Sequence, residues 1–341
     1  MTTADLTGVT PDRTQSARGL GVHPTLRYIG GRVLQAVAVL WAVYTVTFGI
    51  LYLLPSDPVS LQLAAANVQV DELSPAELAA AKTQYGLDKP LLTQYFDHLG
   101  GLSHGDFGQS ISLHRPVGGL LAERLPSTLA LGGAAIVLAL ALGGGLAYLA
   151  AYVRVGWLKT VLNRLPAVGV SLPPFFVGLL LIQVFAFDLG WFPATGTSGF
   201  SSLVLPAVTM AVPTAAMLAQ VLTRSLDDQL AEPYVTTAAA RGLSRQYVQA
   251  RHALRNALLP ALTLLGLLLG ATVTESVIAE TVFSRQGVGQ LAQQAVLAQD
   301  VPLVQAIVVI AASAFVLINL LIDLVYPLFD PRITHTPRVS A

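Results

Sequence analysis

The 341-residue chain contains no cysteine. Disulfides, thiolate metal sites and a cysteine nucleophile are therefore excluded. Charge is scarce too. Only 11% of residues are Asp, Glu, Lys or Arg, against about 25% in an average soluble domain. So few charges cannot cover a water-facing surface, and lipid is the expected solvent. Acidic and basic residues balance at 19 each, so nothing electrostatic points to nucleic acid as a partner. None of the lysines (Lys82, Lys89, Lys159) follows a glycine, so a GxxxxGK[ST] phosphate loop is absent. ATP chemistry, if any, belongs to another subunit. His98, His104 and His114 share one loop, at a spacing that matches no metal-ligand pattern. No nucleophile, metal or haem constellation supports an enzyme.

What the chain has is apolar length: 54% of it is hydrophobic. A bilayer-spanning helix needs about 20 mostly apolar residues. Six stretches qualify, at 33–54, 127–152, 165–187, 203–222, 257–279 and 303–326. The fourth holds Pro206 and Pro213, which membrane helices tolerate when neighbours satisfy the freed backbone groups. Lys and Arg sort to one side. That side takes Arg13, Arg18, Arg27 and Arg32 of the tail, and Arg154, Lys159 and Arg164 of one loop. It also takes Arg224, Arg241, Arg245, Arg251 and Arg255 of another, with Arg332 and Arg338 at the end. The opposite short loops hold only Arg285. The basic side is expected to be cytoplasmic, with both termini inside. The expected fold is an all-α integral membrane protein of six transmembrane helices. Residues 1–24 have no hydrophobic h-region and are expected to be a disordered cytoplasmic tail, as are 336–341.

The long outer loop, 55–126, is expected to fold as a subdomain. Ser74-Pro75-Ala76-Glu77 has the form of a capping box, with Gly86 as a stop. A second short helix is expected from Pro90 to Leu99, ended by Gly100-Gly101. GDFGQSISL (105–113) suits an extended segment, and 116–125 leads back towards the membrane.

The cytoplasmic loop 224–256 has the make-up of a docking site. Pro233 can open a short helix, with Asp227, Asp228 and Glu232 near its positive end. Gly242 suits a left-handed helix stop, and Ser244 can cap a second helix running towards Leu259. The small residues Thr236 to Ala240 would let another protein approach closely. A solvated basic loop that merely fixes topology would share these charges.

At this point the sequence resembles a known family. The segment is similar to the cytoplasmic loop of binding-protein-dependent ABC importer permeases, whose pattern is EAA, three residues, Gly, nine residues, then IxLP. With Gly242 as the glycine, Thr236, Thr237 and Ala238 take the EAA positions and His252, Ala253, Leu254 and Arg255 the IxLP positions. The glutamate and the proline are missing, a departure that resembles the oligopeptide/dipeptide subclass. LPSDPV (54–59), YGLDKPLLTQYFDHL (85–99), GDFGQS (105–110), SLPPFFVGLLL (171–181), LGWFPATG (189–196), ETVFSRQGVGQLAQQAV (280–296) and LVYPLFDPRI (324–333) look like that subclass too. The similarity covers about 25–335, which is taken as the permease domain.

The resemblance implies an ABC importer type I permease fold and a non-catalytic subunit in the bacterial plasma (inner) membrane. Its partners would be a second, homologous permease, two ABC ATPase subunits and an extracytoplasmic substrate-binding protein. The chain itself would carry no cofactor, because ATP and Mg bind the partner ATPases. Its coupling helix would seat in an ATPase groove, with Ala238, Gly242 and Leu254 at that contact and Thr236, Thr237, Arg241 and Ser244 beside them. The cargo would be a dipeptide or oligopeptide. Nickel chelates and glutathione are alternatives within the family, and a self-sufficient secondary transporter is the alternative from another class. Glu275, a carboxylate within the fifth span, is a candidate for the translocation path. Glu280 is read as structural, holding a gate loop. Gly266 and Gly270 form a small-xxx-small pair that permits close helix packing.

Overall fold

A computed structural model of the chain describes residues 24–53 and 89–329, with the isolated positions 74, 76, 80 and 83. The expected tails at 1–24 and 336–341 lie outside the described residues, apart from Pro24. So does nearly all of the helix expected from Ser74 to Gly86. The chain divides into two units, Met1–Val39 and Leu40–Ala341. The described part of the first is the opening of α1 (Pro24–Leu53). All the packing below lies within the second.

Apolar length sets the elements. After α1 come α2 (Leu91–Ser103) and α3 (Val117–Tyr152). Next are α4 (Gly156–Ser171) and α5 (Pro174–Leu181), the latter continued as a wider helical turn over Ile182–Asp188. α6 (Ser201–Leu230) is followed by the short α7 (Pro233–Ala240) and α8 (Arg245–Val248). A π-helical turn (Gln249–Ala253) joins α8 to α9 (Leu254–Val282). α10 (Val288–Leu297) and α11 (Val301–Phe329) complete the described chain.

Five of these rods are long and apolar enough to cross a membrane: Gly30–Ile50, Val117–Tyr152, Ser201–Leu230, Arg245–Val282 and Val301–Leu321. A sixth crossing is made if the pair Gly156–Ser171 and Pro174–Asp188 counts as one span. That pair is bent by 102°. A continuous third span was expected at 165–187. Pro173 and Pro174 break it, because neither supplies an N–H and each pushes the residue before it out of helical geometry.

The core follows from a repeat of four. Ala135, Ala139, Gly143, Ala147 and Ala151 are all buried on α3. Ala207, Ala211, Ala215 and Ala219 are buried on α6. Spacing of four puts each set on one helix face. In lipid, helices gain little from burying apolar surface against one another, so small residues that allow close backbone approach are what hold them. At Gly143 the approach is tightest: a Cβ there would come within 2.6 Å of the Ala215 carbonyl oxygen. Buried residues of α9 (Ala257, Ala261, Ala279) complete this core from the third side. A separate cluster near the start of α3 joins Val117, Leu120 and Leu121 to Leu291 on α10 and Leu303 on α11. Gly270 serves the α9–α11 contact, where a Cβ would fall on the Phe315 ring. Large apolar side chains point outward along the same rods, Leu129, Val137, Leu149 and Leu267 among them, as lipid-facing helices require.

The segment between α1 and α3 departs from expectation in two ways. α2 runs through Gly100-Gly101 to Ser103, and the chain turns instead at Gly105, which has φ +77°. The 105–113 stretch is extended only in part: it turns at Gly105 and again over 111–113, and is tied by an isolated antiparallel bridge between Gln109 and Pro116.

Candidate docking surface and its connection to the outer loops

The surface begins where α6 ends. The Ala231 N–H bonds back to the Asp227 and Asp228 carbonyls, and Glu232 is extended. Pro233 then opens α7 at the position where its missing N–H costs nothing. α7 closes in a Schellman motif. The Gly242 N–H donates to the Ala239 carbonyl at 2.9 Å, and the Leu243 N–H to the Ala238 carbonyl at 3.3 Å. Gly242 has φ +81°, a conformation that costs residues with a Cβ but not glycine. Ser244 caps the next helix, its Oγ accepting from the Tyr247 N–H at 3.3 Å.

Thr236, Thr237, Arg241, Gly242 and Ser244 are exposed, and Ala238 is half-buried. The Thr236 and Thr237 hydroxyls turn back to the Pro233 carbonyl. That leaves methyl groups and small side chains on the surface. Leu254 sits elsewhere. It packs inward, against the cluster of Leu222, Leu226 and Ala257. Six of the seven expected docking residues thus lie on one short segment, and Leu254, half-buried like Ala238, lies at the start of α9.

α8 is held to the end of α3. The last carbonyls of a helix have no partner inside it. The Ala151 carbonyl of α3 is one of these, and both it and the Tyr148 carbonyl just before them accept from docking-segment side chains. Gln249, fully buried, donates to the Tyr148 carbonyl at 2.8 Å. Arg245 donates to the Ala151 carbonyl at 2.9 Å and lies 5.7 Å from the Tyr152 ring centre. With the π-helical turn included, Arg245–Val282 forms one rod, about 57 Å long at 1.5 Å per residue.

At the far end of that rod lies a polar knot that spacing alone did not disclose. Glu280, fully buried, accepts from the Thr128 hydroxyl at 2.6 Å, the Gly289 N–H at 2.7 Å and the Gln290 N–H at 3.1 Å. Its carboxylate therefore occupies the N-terminus of α10, where the helix dipole favours a negative charge. Thr128 also accepts from the Val288 N–H at 2.8 Å. Arg285, 4% exposed, donates from Nη1 to the Ser202 hydroxyl at 3.4 Å. Burial draws its guanidinium down from the ordinary arginine range, and the neighbouring Glu280 opposes that shift. Asp300 forms a second knot. Fully buried, it accepts from the Ser110 and Ser112 hydroxyls at 2.6 and 2.7 Å and from the Ser112 N–H at 2.9 Å. It also caps α11 through the Leu303 N–H at 3.2 Å. Glu275 is half-buried on α9, and its Oε2 has no hydrogen-bond partner among the described residues. It does not line the apolar cavity of about 180 Å³ enclosed by α3, α9, α10 and α11.

Comparison with known proteins agrees on one family. Residues 143–335 match the model of the binding-protein-dependent transport system inner membrane component, and residues 25–132 match that of its N-terminal region. The glutathione transport system permease protein GsiC of Escherichia coli K12 is 35% identical over 311 residues, which cover 91% of this chain and 99% of that one. The protein of the same name from Salmonella typhi is also 35% identical over the same length. Among solved structures, the inward-facing methionine ABC transporter MetNI aligns at 18% identity and a TM-score of 0.49, covering 62% of this chain and 96% of its own.

Proposed function

The chain belongs to the binding-protein-dependent transport system inner membrane components, and from that premise we propose that it forms half of the translocation path of an ATP-driven importer, with the segment 233–244 as the seat of a separate ATPase subunit. It is a multi-pass inner-membrane permease. The observation that carries the docking proposal is the exposed small-residue helix α7, closed by Gly242 and followed by a single rod that runs from Arg245 to Val282. A permease with no phosphate loop of its own needs such a handle. The orientation that puts this handle in the cytoplasm rests on the basic loops.

In this reading ATP binding draws two ATPase subunits together, and α7 moves with the one it touches. Arg245 and Gln249 carry the movement to α3, and the rod carries it to Glu280. The outer loops then reopen towards a solute-binding protein, and hydrolysis resets them. A second, related permease supplies the other half of the path. ATP and Mg belong to the ATPases, and this chain contributes position rather than chemistry. Thr236, Thr237, Ala238, Arg241, Gly242 and Ser244 form the contact, with the half-buried Leu254 at its edge.

For cargo, we propose short peptides. The spans carry few charges, so recognition of backbone groups suits the path better than recognition of charged side chains. Glutathione, itself a tripeptide, is a second reading, favoured by the name of the relatives that match 91% of this chain.

The test is ATPase activity of the assembled complex in lipid, with and without cargo-loaded binding protein, for wild type and Ala239→Lys. That change puts a charge on the exposed face of α7 and leaves the Schellman carbonyl in place. Stimulation by loaded binding protein is expected to fall at least tenfold while the complex still assembles in the membrane. Unchanged stimulation would remove the docking assignment. Uptake of labelled dipeptide against labelled glutathione separates the two cargo readings.

A further inference from the structure

Two cavities meet at Pro166, in the groove between α4 and α6. The larger of the two has a volume of about 410 Å³ and is apolar, walled by Leu146 of α3, Leu165, Val168 and Gly169 of α4, and Val212 and Ala216 of α6. The other, about 260 Å³, lies towards the basic loops and is lined by Asn163, Gln220, Thr223, Arg224, Asp227 and Asp228. Pro166 lines both. Leu142, Leu165 and Val168, at the rim of the apolar part, are each about half exposed, so the groove opens sideways. Small residues keep it deep: a Cβ on Gly169 would meet that of Ala216 at 2.8 Å.

Length and charge together describe the occupant. Positions 212–228 of α6 rise about 24 Å along the helix axis. One leaflet of a bilayer, headgroups included, is about 20–22 Å thick. An apolar trough with a polar end over that distance fits a single phospholipid lying along the helix. The polar end is neutral overall, with Lys159 and Arg224 against Asp227 and Asp228. Lys159 is already 3.5 Å from Asp227. Among the described residues, Arg224 and Asp228 have no ion-pair partner, and they lie one helical turn apart. A guanidinium beside amide and hydroxyl donors suits a phosphate. A free carboxylate one turn away suits an ammonium. A headgroup carrying both satisfies both.

We infer that the α4–α6 groove is a seat for phosphatidylethanolamine in the leaflet on the basic side, with Arg224 holding the phosphate, Asp228 the ammonium, and the Leu165–Val212 trough an acyl chain. A phosphatidylglycerol headgroup has no cation for Asp228 and adds an uncompensated negative charge, so the seat discriminates against it. The inference concerns neither the ATPase contact nor the cargo, and it stands or falls apart from them.

The test uses the assembled importer, reconstituted in nanodiscs with equal phosphatidylethanolamine and phosphatidylglycerol, re-extracted in mild detergent and analysed by mass spectrometry for retained lipid. Wild type is expected to retain phosphatidylethanolamine several-fold over phosphatidylglycerol. Arg224→Gln and Asp228→Asn are each expected to lower that retention at least threefold with assembly unchanged. Equal retention of the two lipids, or retention unaffected by both variants, overturns the inference. Because the chain has no cysteine, Val168→Cys carries a single photo-crosslinker at the rim. Crosslinks to lipid are expected. Crosslinks to the second permease would show that a helix covers the groove, and the seat would be withdrawn.

Discussion

Thr128 and Glu280, 152 residues apart in sequence, meet at 2.6 Å in the buried knot at the C-terminal end of α9. The threonine hydroxyl donates to the carboxylate and accepts from the Val288 N–H at 2.8 Å. One side chain on α3 therefore joins the end of the long rod to the start of α10. In the proposed cycle this is the point at which movement arriving from the docking segment reaches the outer loops.

Removing that hydroxyl without changing shape isolates its contribution. Thr128→Val leaves the Val288 N–H without its acceptor and takes one donor from a buried carboxylate. The cost of such an orphaned group is about 1–3 kcal/mol. Thr128→Ser keeps the hydroxyl and loses only a methyl group. The thermal unfolding midpoint of the purified complex is expected to drop clearly for valine and little for serine. Equal drops would mean that packing, not hydrogen bonding, holds this junction.

The same knot limits two glycines. A Cβ at Gly287 would fall on the Glu280 carboxylate, and one at Gly289 would come within 2.6 Å of the Val277 Cα. A carboxylate at the end of a long side chain could usually swing aside, but three hydrogen bonds hold this one in place. At Gly289 the obstacle is backbone. Both alanine variants are therefore expected to destabilise, by the roughly 1–3 kcal/mol typical of overpacking. Gly144→Ala, with open space around it, serves as the control and should stabilise or be neutral. Cell-surface yield and unfolding midpoint measure all three.

How far the sequence reaches depends on the range of the interaction. Gly242 was legible as a stop because only glycine takes a left-handed backbone at no cost. The long spans were legible because apolar runs are local. The alanine–glycine repeat of four on α3 and α6 is local to each helix and equally readable. The bend at Pro173-Pro174 was missed because apolar length counts a residue without asking whether it donates a hydrogen bond. Gly100-Gly101 misled in the other direction, since glycine permits a stop without requiring one. Asp300 and its serines lie 188 and 190 residues apart. Polar contacts at such separations leave no periodic trace in the chain. Leu254 was placed by motif position alone, and its contact with Leu222, Leu226 and Ala257 follows from a fold that the motif does not encode.

The Asp300 knot predicts a local effect rather than a global one. Ser110 and Ser112 fasten the segment after α2 to the cap of α11. Replacing both serines with alanine removes two hydroxyl donors and leaves the Ser112-position N–H and the α11 cap. Protease cleavage within 104–116 is expected to accelerate at least threefold, with the helical content of the complex unchanged. Cleavage at the wild-type rate would show that the segment is held by its apolar contacts alone, through residues such as Ile111.

The sharpest separation of conformation from bulk is available at Gly242. Nothing lies within 4 Å of the position a Cβ would occupy, so added size meets no obstacle inside the chain. Its φ of +81° does penalise a side chain. The penalty is about 1–2 kcal/mol for most residues and smaller for asparagine, which bonds locally in that region. Gly242→Asn is therefore expected to keep the Schellman turn, and Gly242→Val to unwind it and displace Arg241 and Ser244. If α7 couples to an ATPase, loaded binding protein should still stimulate ATP hydrolysis in the asparagine variant. In the valine variant stimulation should fall at least fivefold with assembly intact. Loss in both would mean that the partner's surface touches Gly242 itself, leaving no room for any side chain. Loss in neither would mean that the turn's conformation does not matter to the motor, and the docking surface would have to be sought away from α7.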